Sequence, residues 1–181
     1  GSDFALKLIG SPLGNSVYSA TGSSGSIASG RLSYTLGLQG ACATIDTACS
    51  AGLVATSFAR TALVLGDSEI ASVMAVNLIL GPDSAHTPFA IAGMTSATGK
   101  CHTFDKNADG YVRAEACGAS VLLIRLGDAM QKHVVLAGSA VHCDGKSASL
   151  TAPNGQAQRQ VISRALSVAH VMPAALSLIE A

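Results

Sequence analysis

The sequence predicts an α/β domain whose sheet is covered on both faces, and three observations point there. Short apolar runs rich in β-branched residues alternate with longer segments of helical period, the pattern of strands joined by crossover helices. The short runs are almost continuously hydrophobic, as strands buried on both faces are. Charge is also scarce. Only 12% of the 181 residues are charged and 49% are hydrophobic, against about 25% charged in an ordinary soluble domain.

Each element follows from local pattern. Across residues 24–36, Ile27, Leu32 and Leu36 lie near one face and Gly37 follows them, which predicts a helix and its stop. Residues 41–46 alternate small and β-branched side chains and predict a buried strand. Residues 49–65 carry an apolar stripe of Leu53, Val54, Phe58, Ala62 and Leu65, with Gly66 placed to end a second helix. Ala51, Gly52, Ala55, Ser57 and Ala59 on that helix are small, so it is expected to have neighbours on several sides. Residues 72–77 predict another strand, and a short helix is expected near 88–94. Residues 119–126 and 134–141 predict two strands joined by a turn at Gly127 and Asp128. A helix over about 156–169 and the start of a strand at 176–179 complete the pattern.

Composition excludes several classes. Lys and Arg balance Asp and Glu at 11 each, so nothing selects nucleic acid or an anionic membrane. The apolar runs at 121–124 and 78–80 fall far short of the roughly 20 residues of a membrane span. No G-x-G-x-x-G or Walker loop supports nucleotide binding. The cysteines, Cys42, Cys49, Cys101, Cys117 and Cys143, are odd in number and lack C-x-x-C spacing, which argues against a disulfide framework or a zinc knuckle and for a reducing compartment. The first residue is Gly and no leader follows it; the expectation is that the natural N-terminus lies further upstream. So little charge implies that faces of this chain meet a partner or another part of the same protein.

Cys49 is the candidate nucleophile. It falls where a predicted buried strand gives way to a helix of small residues, beside unpaired backbone N–H groups that carry partial positive charge. That placement favours the thiolate, and the same amides can stabilise an oxyanion when a thioester carbonyl is attacked. Ala48, Ser50 and Ala51 leave room for a substrate. The arrangement has the physics of a nucleophile elbow. The competing reading is a free cysteine acting as a small buried hydrophobe.

Other constellations carry less. Asp105, Asn107, Asp109 and Gly110 begin like a calcium loop, but its twelfth position is Ala116 and Glu115 falls one residue early. The expected role of those carboxylates is to accept backbone amides and hold a loop near the active site. Cys101-His102 and His142-Cys143-Asp144 hold metal-ligand types without paired spacing on one element. His86, His133 and His170 read as loop or helix-end residues, and His170 suits a helix C-terminus. Ser50 only weakly echoes a serine-hydrolase elbow. No metal is therefore expected.

Asp46-Thr47-Ala48-Cys49-Ser50 resembles the active-site signature of β-ketoacyl synthases, particularly those of type I polyketide synthases. Gly30-Arg31-Leu32-Ser33-Tyr34 and Leu36-Gly37-Leu38-Gln39-Gly40 resemble the segment that leads into it. Phe104-Asp105, the run from Ala108 through Arg113 to Gly118, and Leu150-Thr151-Ala152-Pro153-Asn154-Gly155 resemble later family blocks, in family order. Gly93-Met94-Thr95-Ser96 with Cys101-His102-Thr103-Phe104 is similar to ketosynthases of algal protists. Two departures stand out: Ser50-Ala51-Gly52 replaces the usual run of serines, and Ala114 and Ala116 stand where the family often has Gly.

The resemblance implies a thiolase-like fold, layered α-β-α with a mixed sheet, of which residues 1–181 are a partial domain, mainly the N-terminal half. It implies an acyltransferase that loads an acyl chain on Cys49 and condenses it with a malonyl thioester. It further implies that no cofactor is bound directly, that phosphopantetheine arrives on an acyl carrier protein, and that the full domain forms a homodimer, as is usual in the family. The two family histidines lie in motifs expected beyond Ala181, so this chain is expected to carry the acyl-accepting cysteine without its decarboxylating partners. A fatty acid synthase ketosynthase, a thiolase-like acyltransferase and a non-catalytic ketosynthase-like subunit remain alternatives. The compartment stays open, cytoplasm or plastid if the source is algal.

Overall fold

The computed structural model describes residues 10–81, 86–124 and 134–180. The expected turn at Gly127 and Asp128, the end of the strand at 125–126, and His133 lie outside them. The chain divides into two compact units, Gly1–Gly52 with Ser72–Val121, and Leu53–Ala71 with Leu122–Ala181.

The first unit opens with a 3-10 turn at Pro12–Asn15 and the short helix α1, Ser19–Ser23, followed by α2, Gly25–Leu36. Gly37 ends α2 where the sequence places its stop, and the Leu38 N–H closes the last turn on the Ser33 carbonyl at 2.9 Å. Ser29 of α2 meets Thr44 through their hydroxyls at 3.0 Å, so α2 lies along the segment that leads into Cys49. That segment, 41–46, was expected as a strand, yet it has no ladder partner among the described residues and forms none. A strand exists only by pairing; apolar pattern alone does not make one.

The sheet has two described strands, β1, Ile70–Asn77, and β2, Ala116–Leu123. Beyond the ladder, Asn77 Nδ2 donates to the Ala114 carbonyl at 2.6 Å, and the Ile79 N–H donates to Glu115 Oε1 at 2.7 Å. These bonds put the end of β1 beside the start of β2, as in an antiparallel pair. Val73 is buried, while Met74, Val76 and Val121 stay exposed, so the described residues cover this sheet only in part. Between the strands lies α4, Thr87–Ile91, which overlaps the span expected for a short helix and starts one residue earlier.

The helix after Cys49, α3, runs Ala51–Leu65 and leads through Gly66 into β1. In the second unit it buries Ala59 and Leu63, one turn apart on a single face. The stripe read from the sequence is not the buried one: Leu53, Phe58 and Leu65 are exposed. Apolar side chains stand on several sides of the helix and call for cover there; the described residues bury only the side of Ala59 and Leu63. By length and hydropathy Ala48–Leu65 could cross a membrane, but it is the helix that carries this inward face.

Ser57 and Arg60 of α3 reach residues 137–139, through a Ser139–Ser57 hydroxyl pair at 3.0 Å and an Arg60 bond to the Ala137 carbonyl. The same segment presses Gly138 against the last helix, α5, Gly155–Ala169. A methyl on Gly138 would lie 2.7 Å from the Ala165 carbonyl oxygen, so this approach admits only glycine. Residues 134–141 are thus held between two helices, not in the strand expected from sequence, and 176–179 likewise form none. Asn154 caps α5 by accepting from the Gln156 and Ala157 amides, while Asp144 accepts the Asn154 N–H at 3.0 Å. His170 ends α5 in the left-handed region, φ 54°.

Candidate active site

Cys49 stands in a turn that its neighbours hold shut. Asp46 Oδ1 accepts the Ala48 N–H at 3.1 Å. The Ser50 hydroxyl donates to the Thr47 carbonyl at 2.9 Å. Its one proton is then committed, so the Thr47 hydroxyl is the donor in the 2.9 Å contact between the two side chains. The Ala51 N–H closes on the Ala48 carbonyl at 3.1 Å. Within this ring Ala48 adopts φ 55°, a left-handed conformation that costs a residue with a Cβ about 1–2 kcal/mol. The chain reverses there, and Cys49 projects an exposed thiol just ahead of α3. The helix begins at Ala51 and not at Cys49 as expected, because the left-handed residue and the Ser50–Thr47 bonds form a turn, not helix.

Gly52 brings the first turn of α3 down on β1: a methyl there would sit 3.7 Å from Ala75 Cβ. That is ordinary van der Waals contact, so the departures from the usual run of serines at Ala51 and Gly52 have no steric explanation in this structure.

Cys42 was not singled out from the sequence, yet it has the better-defined polar surroundings. The Ser29 hydroxyl, and to a lesser degree that of Ser33, hold its thiol below the ordinary cysteine range. Ser29 and Ser33 are four apart on α2 and so share a face; that pair, opposite a cysteine on the next segment, is the signal the sequence offered. A lowered pKa means fewer bound protons and more thiolate at neutral pH. Iodoacetamide is expected to alkylate Cys42 with a pH midpoint below that of an ordinary cysteine, and the Ser29→Ala, Ser33→Ala double variant should move that midpoint upward. A midpoint that does not move would show that the hydroxyls do not tune this thiol.

The acidic loop organises itself. Asp105 Oδ1 accepts the Asn107 N–H at 2.8 Å. Asp109 is held below the usual carboxylate range, first by the Ser96 hydroxyl, then by its own amide and that of Ala97, with His102 adding a smaller attraction. Both carboxylates thus serve the loop, and no group of three metal-ligating side chains occurs among the described residues. The Ser96 N–H donates to the Tyr111 carbonyl at 3.0 Å and the Tyr111 N–H to the Met94 carbonyl at 3.1 Å. Gly110, φ 137°, passes so near that an added Cβ would lie 2.5 Å from the Thr95 carbonyl carbon. Cys101 Sγ accepts the Val112 N–H at 3.2 Å. Arg113 stacks on the Phe89 ring at 4.4 Å. His170 caps α5 and Asp144 supports its N-cap, which places both in structural roles.

Comparison with known proteins fits this geometry. Residues 7–129 match the family model of the beta-ketoacyl synthase N-terminal domain, and residues 133–181 match that of the C-terminal domain. A polyketide synthase of Streptomyces halstedii is 43% identical over the whole chain, which spans 3% of that protein. A phenolphthiocerol/phthiocerol polyketide synthase of Mycobacterium tuberculosis is 42% identical over 90% of the chain and 9% of its own length. The chain superposes on an oxazolomycin ketosynthase domain of Streptomyces albus with TM-score 0.78 and 34% identity, covering 85% of this chain and 28% of that one. A ketosynthase from module 6 of the Bacillus subtilis bacillaene synthase gives TM-score 0.77 and 38% identity, over 86% and 29%. The chain therefore spans under a third of the solved ketosynthases it matches, and it shares their thiolase-like fold. With the elbow, the helix behind it and both family models in agreement, the chain belongs to the beta-ketoacyl synthase family.

Proposed function

We propose that residues 1–181 are the acyl-accepting part of a polyketide synthase ketosynthase, with Cys49 as its nucleophile. The observation that carries this reading is the exposed Cys49 thiol on a strained, side-chain-locked turn at the head of α3. In the first step the thiolate attacks the carbonyl of an acyl thioester carried by phosphopantetheine on a carrier protein. The tetrahedral oxyanion collapses, the carrier thiol leaves with the proton that Cys49 gave up, and an acyl-cysteine remains. In the second, a malonyl thioester loses carbon dioxide and the resulting enolate attacks the acyl-cysteine, releasing the Cys49 thiolate and the extended β-keto thioester. The similar proteins of Streptomyces and Mycobacterium are polyketide synthases, which favours a polyketide over a fatty acid product. Two histidines outside these motifs would hold the developing charge in the decarboxylation.

The surface supports a partner. Leu53, Phe58, Val64 and Leu65 of α3 are among the apolar side chains left open. Homodimerisation and the rest of the domain would cover them. The test is to incubate the full-length enzyme with an acyl thioester and locate the acyl group by peptide mass spectrometry. Acylation confined to Cys49 is expected; an acyl group on Cys42 or Cys117 overturns the assignment.

A further inference from the structure

We infer that Glu115 and Asn77 are positioning residues for the Cys49 thiol, an inference that rests on the reading of Cys49 as nucleophile. The route begins at the helix. α3 starts two residues after Cys49, and the chain turns after it to return as β1. The start of the helix and the end of the strand therefore lie at one end of the sheet, and Gly52 meets Ala75 there, 3.7 Å from an added Cβ. Ala75 is two residues from Asn77, the last residue of β1.

A strand is least constrained at its last residues, where the ladder stops supplying hydrogen bonds. Here side chains take over. Asn77 Nδ2 donates to the Ala114 carbonyl at 2.6 Å, and the Ile79 N–H donates to Glu115 Oε1 at 2.7 Å. Both bonds join segments 36–37 residues apart in sequence, and the second is charge-assisted and short. Together they staple the end of β1 to the two residues that precede β2. The strand end on which the first turn of α3 rests is thereby fixed, and with it the height of Cys49. The carboxylate has no role in bond making; it sets where the thiol stands.

The experiment measures single-turnover acylation of Cys49 by an acyl thioester in the full-length enzyme, with the far-ultraviolet circular dichroism spectrum at the assay temperature as the control for folding. A displaced nucleophile loses rate steeply, by as much as about a hundredfold per ångström. Glu115→Ala and Asn77→Ala are each expected to slow acylation roughly tenfold or more, with the dichroism spectrum unchanged. Glu115→Gln keeps an oxygen acceptor at the same reach and should restore most of the rate, which a general loss of structure would not allow. Acylation at the wild-type rate in both alanine variants overturns the inference. So does a loss matched by a change in that spectrum, because the staple would then serve folding alone. Failure of the underlying reading looks different: the wild-type enzyme itself would carry its acyl group elsewhere than Cys49.

Discussion

Cys49→Ala is expected to lower acyl loading and condensation by about a thousandfold or more, while the thermal midpoint of the enzyme barely moves. The first half follows from the chemistry: no other atom of the turn can form the acyl thioester. The second follows from what holds the turn. Asp46, Thr47 and Ser50 make its side-chain bonds and the Ala51 amide closes it, so none of them needs the sulfur. Cys49 is exposed, and a surface truncation leaves no cavity and costs no more than about 0.5 kcal/mol. Cys42→Ala is the decisive comparison. Cys42 is the thiol with the lowered pKa, but α2 lies along its segment through Ser29 and Thr44, and no reversed turn lifts it ahead of a long helix. Loading should persist in Cys42→Ala. If loading survives in Cys49→Ala and vanishes in Cys42→Ala, the nucleophile has been misassigned.

Some of this arrangement was legible in the sequence, and the boundary has physical causes. Gly37 and Gly66 mark the ends of α2 and α3 as read, because a helix stop depends on residues within one turn. The elbow was legible as a motif, but its strain was not: alanine is an unfavourable left-handed residue, so nothing in the letters places Ala48 at φ 55°. The strands expected at 41–46 and 134–141 are absent because pairing depends on partners far along the chain, and none is described beside them. The stripe predicted for α3 includes Leu53, Phe58 and Leu65, which stay exposed, since a helix with apolar residues on several sides has no unique inward face. Glu115 was noted as a carboxylate one residue out of place for calcium and as part of a family block; its actual partner, the Ile79 amide, is set by the register of two strands. The resemblance reads the chain as mainly the N-terminal half of the fold, and residues 7–129 match the N-terminal domain model while residues 133–181 match the C-terminal one.

Gly110→Ala should be the most damaging substitution in the acidic loop, lowering stability by about 2–4 kcal/mol. Two independent costs add there. The backbone at φ 137° is open to glycine and hostile to a residue with a Cβ. The added methyl would also lie 2.5 Å from the Thr95 carbonyl carbon and 2.6 Å from the Ser96 nitrogen, both backbone atoms that no rotamer change can move aside. Relief requires the Met94–Ser96 segment to separate from Tyr111, which breaks the Ser96–Tyr111 and Tyr111–Met94 hydrogen bonds. The Ser96 hydroxyl then leaves Asp109, whose carboxylate it does most to stabilise, so the loop loses its anchor along with its backbone pairing. Gly155→Ala is the matched control, since Gly155 sits at the start of α5 with no atom within 4 Å of an added Cβ; it should be neutral or slightly stabilising. Thermal unfolding of the full-length enzyme, with hydrogen exchange read at the Ser96 and Tyr111 amides, separates the two. Unchanged protection at those amides in Gly110→Ala would mean that the close approach is not what holds the loop.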